Sequence, residues 1–199
     1  MKPSDAQAET GQEEILFLRR WLAHPLKVGA LLPSSPFLAR LVARHTRIGD
    51  DDVVVELGAG TGAVTKALLN SGIPKERLFV IEIDADMCTY LRKWYPQAQV
   101  IHGDAGTLHE ILPSKWRGKV ATVISGIPMI TLPDDLQTRL IRSWLGELQP
   151  GGRMLQYTYS LVSPIPQEKF GLSVKRAGMT FLNLPPASVF KYEKIASAD

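Results

Sequence analysis

The stretch Val53-Val54-Val55-Glu56-Leu57-Gly58-Ala59-Gly60-Thr61-Gly62-Ala63-Val64-Thr65 decides the fold. Three β-branched residues in a row predict a strand buried on both faces, as in a parallel sheet. Glycines end it and apolar residues at helical spacing follow over residues 61–69, so the order is strand, tight turn, helix. Gly58, Gly60 and Gly62 let the chain turn sharply and leave no Cβ between the backbone and a ligand. The first N–H groups of the helix have no partners within it and face the same space. A small ligand is expected there.

The glycines alone do not say which ligand. Ala63, three residues after Gly60, completes a G-x-G-x-x-A dinucleotide fingerprint. Glu56 tips the balance, because it stands two residues before the first glycine, where a carboxylate would repel a pyrophosphate but accept from a cationic amino acid. With Gly58-x-Gly60-x-Gly62 it resembles the first motif of class I S-adenosylmethionine-dependent methyltransferases.

The chain has 199 residues and a formal charge of +3, with 45% hydrophobic and 22% charged residues. Those are globular values for one domain with small additions. Residues 1–12 are polar and read as a disordered tail. Cys88 is the single cysteine; this excludes a disulfide within the chain and a cysteine-based metal site, no metal ligands are expected, and Cys88 reads as a packing residue. No apolar run is long enough for a membrane span, and the acidic start is not a signal peptide, so a soluble or peripheral protein is expected. Residues 15–47 hold Arg19, Arg20, Lys27, Arg40, Arg44 and Arg47 and no acidic residue. That asymmetry calls for an anionic partner, a membrane surface or a nucleic acid.

Residues 13–24 read as a helix with Ile15, Leu18, Trp21 and Leu22 on one face and Arg19, Arg20 and His24 on the other, the pattern of a helix lying in a bilayer interface. A loop carrying Lys27 follows, and a second helix over residues 36–47 is capped by Ser35 with Pro36 at its first position. Residues 13–47 thus precede a ligand-binding domain over residues 48–199. Strands are predicted at 53–57, 78–84, 99–102, 120–124 and 153–159, alternating with helices at 61–69, 86–94 and 133–148 and a turn around 108–112. This alternation implies right-handed crossovers and a doubly wound parallel sheet. Residues 172–184 and 188–194 lack a long helix between them and predict an antiparallel final pair. The expected fold is α/β: a three-layer Rossmann-like sheet of seven strands with the last pair antiparallel, plus the N-terminal amphipathic helix.

Glu82 ends the second strand twenty residues after Gly62, where a carboxylate offers two acceptors to a ribose diol. Asp104, in His102-Gly103-Asp104-Ala105, resembles the adenine-binding acid of these methyltransferases, with the backbone of Ala105 meeting the ring; His102 reads as packing. Ser125-Gly126-Ile127-Pro128-Met129 ends the fourth strand, over the reacting methyl. Adenine and amide N-methyltransferases usually carry Asn or Asp, Pro and an aromatic here; Ser125 and Met129 remove that grip on a planar base. Tyr157 and Tyr159 alternate with Thr158, so they point the same way, toward an amine or a methylated cation; otherwise they pack in the core.

Pro25-Leu26-Lys27-Val28-Gly29-Ala30 with Pro33-Ser34-Ser35, the glycine motif, Ile81-Glu82-Ile83-Asp84, Gly103-Asp104-Ala105 and Ser125-Gly126-Ile127-Pro128 together resemble the bacterial phospholipid N-methyltransferases. The likeness runs over about residues 13–194. It implies methylation of phosphatidylethanolamine and its mono- and dimethyl forms towards phosphatidylcholine, with S-adenosylmethionine as cofactor and S-adenosylhomocysteine as product, by an enzyme that is cytoplasmic and peripheral on the inner face of the membrane. It further implies that Ser35, Glu56, Gly58, Ala59, Gly60, Gly62, Glu82, Ile83, Asp104, Ala105 and Ser125 hold the cofactor. From their positions Tyr157, Tyr159 and Ser125 are expected to serve the reaction, with Tyr157, Tyr159, His24 and a bound water open as the proton acceptor. Arg19, Arg20, Trp21, Lys27, Gly126, Ile127, Pro128 and Met129 would meet substrate or membrane. A phospholipid substrate and an anionic membrane surface are the expected partners, with no nucleic acid; the sequence leaves the oligomeric state open, a monomer being favoured. Ribosomal RNA adenine N6-dimethyltransferases share the glycine, ribose and adenine motifs but carry a C-terminal helical RNA-binding domain that this chain is expected to lack. A non-catalytic, cofactor-binding membrane adaptor is the third reading.

Overall fold

The structure, a computed structural model, describes residues 34–183 and 185–195. The tail over residues 1–12 and the helix over residues 13–24, with Arg19, Arg20, Trp21 and Lys27, lie outside the described residues.

Helix α1 (Pro36–His45) leads to β1 (Val53–Leu57) and α2 (Ala63–Asn70). Then come β2 (Leu78–Glu82), α3 (Ala85–Trp94), β3 (Gln99–His102) and the single turn α4 (Leu108–Ile111). The last elements are β4 (Val120–Ser125), α5 (Asp134–Glu147), β5 (Leu148–Thr158), β6 (Leu172–Thr180) and β7 (Ala187–Lys194). One seven-stranded sheet results, in the order β3-β2-β1-β4-β5-β7-β6. The first five strands are parallel, and β7 runs antiparallel to both β5 and β6, as the sequence pattern predicts. Among the described residues no helix is long and apolar enough to cross a membrane.

Strand alternation divides the core into two layers. Val54, Val80, Ile124, Leu155 and Val189 share one cluster with Leu38 and Val42 of α1, Leu68 of α2 and Leu91 of α3. The intervening Val53, Val55, Leu57 and Val123 are equally buried but outside that cluster. They belong to the other face, as do the buried Leu136, Leu140, Ile141 and Trp144 of α5. Helices therefore cover both faces, and the carboxyl ends of β1 to β5 meet at one edge.

Most element ends fall within two residues of the sequence pattern, and two boundaries differ by more. β5 begins at Leu148, before the Pro-Gly-Gly run expected to separate helix from strand, because Leu148 already pairs with Val120. The glycines form an irregularity inside the strand: Gly151 has φ of 74°, and a Cβ on Gly152 would lie 2.9 Å from the carbonyl oxygen of Val120. β6 stops at Thr180 rather than 184, leaving Phe181 and Leu182 exposed in the turn before β7.

Candidate active site

At the carboxyl edge, neighbouring strand ends are stitched together. Gly58 N–H donates to Ile81 O, Gly126 N–H to Leu57 O and Gly103 N–H to Glu82 O, at 3.0–3.1 Å. The loop between β1 and α2 takes left-handed φ at Gly58, Gly60 and Gly62. Gly62 also sits against Tyr95 and Leu91, leaving no room for a Cβ, whereas among the described residues nothing lies within 4 Å of the Cβ position at Gly60. Packing therefore adds to the left-handed φ at Gly62, whereas at Gly60 the φ is the constraint and the space beside it is free for a ligand. Ala59 is buried beside them.

Glu56, Glu82 and Tyr157 share the sheet face covered by α1 and α2, since Glu56 registers with Val80 and Ile124, and Ile124 with Leu155. Glu56 is fully buried. One carboxylate oxygen accepts from Thr65 Oγ1 at 2.7 Å, and the other has no hydrogen-bond partner among the described residues. Burial pushes its pKa up to about 7, against the Thr65 hydrogen bonds and with a small contribution from Glu82. A buried, half-satisfied carboxylate facing a glycine loop suits a cationic donor.

Glu82 is also buried, and burial raises its pKa. Its oxygens accept from Gly60 N–H at 3.1 Å, Ile83 N–H at 2.8 Å and Asp84 N–H at 3.2 Å. The carboxylate expected to grip a diol therefore also ties the glycine loop to the turn after β2. His102, read as packing, approaches Ile83 O at 3.0 Å and braces that turn. Cys88 is buried and its thiol pushed up to about 11, by burial first, which suits a packing role.

Asp104 caps the turn after β3, accepting from Gly106 N–H at 2.8 Å, and pairs with Arg139 Nη1 at 2.8 Å. Each oxygen keeps a second lone pair for a ligand amine. Ala105 is buried, and its carbonyl accepts from Trp144 Nε1 at 3.0 Å. Local sequence held no signal for Arg139 or Trp144, which reach the site from α5.

Ser125 and Gln156 are paired in register on the opposite face. Ser125 Oγ accepts from Ile127 N–H at 3.2 Å, so it closes its own loop. Ile127 and Met129 are buried, at 5% and 1% exposure, and Pro128 is partly exposed. Met129 thus presents no surface to a substrate; its neighbour Ile130 points outward. Gly126 is required by close approach, since a Cβ there would collide with the Tyr157 hydroxyl.

Tyr157 and Tyr159 both pack against the core of the α1–α2 face. Burial, with help from the Glu56 carboxylate, pushes the Tyr157 phenol well above its usual range, and a hydrogen bond with Ser34 opposes this. Burial raises Tyr159 as well, with Asn183 as its hydrogen-bond partner. Neither phenol is a base at neutral pH; each is a neutral hydroxyl that can accept a hydrogen bond.

Asn183 escaped sequence reading because its partners are distant. It is buried, accepts from Ser35 N–H at 2.8 Å and donates to Pro185 O at 2.9 Å. Ser35 itself caps α1, accepting from Leu38 N–H at 3.2 Å. One amide thus joins α1, Tyr159 and the β6–β7 turn. Asn183→Ala, by leaving buried partners unpaired, is expected to cost about 1–3 kcal/mol and lower the melting temperature by several degrees in a thermal melt.

Residues 54–152 match the family described as a methyltransferase domain. The chain is 36% identical to an ornithine lipid N-methyltransferase of Singulisphaera acidiphila over 72% of its own length and 76% of that protein. It is 32% identical to a ribosomal RNA small subunit methyltransferase A of Phenylobacterium zucineum over 60% of its length, which spans 40% of that protein. Among solved structures, magnesium protoporphyrin IX methyltransferase of Synechocystis aligns with a TM-score of 0.59 at 19% identity, covering 79% of this chain and 76% of that one. A precorrin-6y C5,15-methyltransferase of Geobacter metallireducens also aligns at 0.59, with 15% identity, covering 80% and 87%. These two likenesses are of fold.

Proposed function

The chain belongs to the class I S-adenosylmethionine-dependent methyltransferases, and we propose that within them it methylates the primary amine of a membrane lipid, with phosphatidylethanolamine as acceptor on the way to phosphatidylcholine. The observation that carries this reading is the loop after β4. Ser125 is turned onto its own backbone and Met129 is buried, so neither an amide nor a ring is offered to a nucleobase. The likeness to an ornithine lipid N-methyltransferase favours lipid over RNA, and it makes the ornithine headgroup the second reading.

The residues fit the cofactor. The unpartnered oxygen of Glu56 suits the ammonium of its amino-acid portion, the open space at Gly60 suits close approach, and Glu82 and Asp104 have acceptor capacity for hydroxyls and an amine. When bound, S-adenosylmethionine supplies a methyl on a positive sulfonium. The acceptor nitrogen must be neutral to take it. A lipid ammonium with a pKa of about 10 loses roughly 4 kcal/mol in giving up its proton at pH 7. Tyr157 and Tyr159, held as neutral phenols, can accept a hydrogen bond from the amine and orient its lone pair, and the proton leaves to water. Bringing the acceptor to this edge requires contact with the cytoplasmic face of the membrane, where Arg19, Arg20, Trp21 and Lys27 would act from outside the described residues.

The test is transfer of labelled methyl from S-adenosylmethionine to vesicles of phosphatidylethanolamine with phosphatidylglycerol, to vesicles containing ornithine lipid, and to deproteinised ribosomal RNA. Label in methylated phosphatidylethanolamine is the expected result. Label confined to ornithine lipid transfers the activity to that headgroup, and label in RNA alone overturns the lipid reading. With no label anywhere, cofactor binding by calorimetry would favour the adaptor.

A further inference from the structure

Six of the nine large hydrophobic side chains that stand exposed among the described residues belong to one edge of the sheet. Ile130 follows β4, Leu161 and Val162 follow β5, and Phe181 and Leu182 form the turn from β6 to β7; exposure reaches 69% at Val162 and 76% at Phe181. Phe37 joins them from the first turn of α1, which the Ser35–Asn183 hydrogen bond fastens to that same turn. These loops are held in place: the Arg176 guanidinium donates to Leu161 O while lying over the Phe190 ring. So many aliphatic and aromatic tips at one edge call for an apolar partner.

The charges nearby say which partner. Phe37 shares an outward stripe of α1 with Arg40 and Arg44, and α2 adds Lys66; all are exposed. Neither helix contains an acidic residue. A groove of about 540 Å³ runs between the two helices, lined by these three cations over an alanine floor. Leu41 of α1 packs against Gly178 of β6, which sets the basic helix pair beside the apolar turn. Aliphatic tips flanked by cations match a bilayer, with hydrocarbon to receive the tips and anionic phosphates to meet the cations. RNA would satisfy the cations but leave Leu161, Val162 and Leu182 without a partner.

We propose that the carboxyl edge of the sheet, through Leu161, Val162, Phe181, Leu182 and Phe37, is an apolar rim that inserts into an anionic membrane and lays the lipid headgroup over the site. The inference rests on the lipid-methylating reading and adds the docking surface. Glu56, Glu82 and Tyr157 stand at or next to the carboxyl ends of β1, β2 and β5, so insertion of the rim brings the headgroup amines to the edge beneath which these buried groups lie.

The test places a polarity-sensitive fluorophore on single cysteines introduced into the full chain at Leu161 and Phe181, and at Glu76, which is exposed before β2 at the opposite edge. Cys88 is buried and escapes the probe. With phosphatidylethanolamine–phosphatidylglycerol vesicles, a blue shift and several-fold brightening are expected at Leu161→Cys and Phe181→Cys but not at Glu76→Cys. In unlabelled protein, Leu161→Asp with Phe181→Asp should weaken vesicle co-sedimentation by about tenfold or more. Vesicle binding without a blue shift at either rim position overturns the proposal, as does absence of vesicle binding. A blue shift that rises with protein concentration in the absence of vesicles would assign the rim to a second copy, and one produced by RNA alone would assign it to nucleic acid; both overturn it. Lipid methylation without a blue shift defeats the rim alone, whereas a blue shift without lipid methylation upholds the rim and defeats the substrate reading.

Discussion

Gly62→Ala is expected to lower the melting temperature by about 10 °C, while Gly60→Ala, two residues away, lowers it by only about 3–5 °C. Both glycines hold left-handed φ, 78° at Gly62 and 55° at Gly60. Any side chain there is strained by about 1–2 kcal/mol. At Gly62 the new methyl also enters the Tyr95 ring and approaches Leu91, and Leu91 belongs to the main cluster. Overpacking adds about 1–3 kcal/mol, and a chain of this size loses roughly 2–4 °C per kcal/mol. At Gly60 the same methyl points into open space. Its cost falls on the ligand: affinity for S-adenosylhomocysteine is expected to drop at least about tenfold, as when a group fills space that a bound molecule needs. Thermal melts and calorimetric titrations of both variants check the contrast. Equal melting temperatures, or unchanged affinity in Gly60→Ala, would refute the division of labour.

Much of this arrangement is legible in sequence because it is local. The Val53 to Thr65 run announces strand, turn and helix through its periodicity, and the acidic residues at the ends of β1 and β2 carry their positions relative to the glycines. What sequence does not announce are contacts between distant residues. Asn183 meets Ser35 across 148 positions and Arg139 meets Asp104 across 35, and neither pairing leaves a local pattern. Glu82 bonding to Gly60 N–H is likewise invisible, because a strand-end carboxylate reads as ligand-facing whether or not it closes on the backbone. The sequence pattern sets Tyr157 on β5, but its hydroxyl lying against Gly126 depends on the β4–β5 register. The rim escaped for a related reason. Leu161, Val162, Phe181 and Leu182 look like ordinary strand and core residues until strand order brings β5, β6 and β7 to one edge.

Glu56→Gln is expected to stabilise the chain at pH 8 while abolishing tight cofactor binding. The Glu56 pKa stands at about 7 rather than 4.5 because burial disfavours the charged form. The folded chain therefore holds this proton more tightly than the unfolded chain does, so the contribution to stability is complete below about pH 4.5 and declines as pH rises through about 7. At pH 8 the shift corresponds to roughly 3 kcal/mol of stability forgone. An amide can still accept from Thr65 but has no charge to bury, so the variant should melt several degrees higher at pH 8 and show no gain near pH 4. Cofactor binding has the opposite dependence. An ammonium meeting the unpartnered oxygen favours the ionised carboxylate, so affinity of the unmodified chain should rise about tenfold from pH 6 to pH 8 as Glu56 loses its proton. Calorimetry in two buffers of different ionisation heat should show that proton released on binding at pH 6. In Glu56→Gln the pH slope and the released proton both disappear, and affinity is low throughout. A variant that keeps the slope would place the titrating group elsewhere, and one that binds tightly without any gain in stability would mean that Glu56 is held in the fold for packing. The strained carboxylate is thus a stability deficit carried by the free enzyme and relieved when a cation arrives.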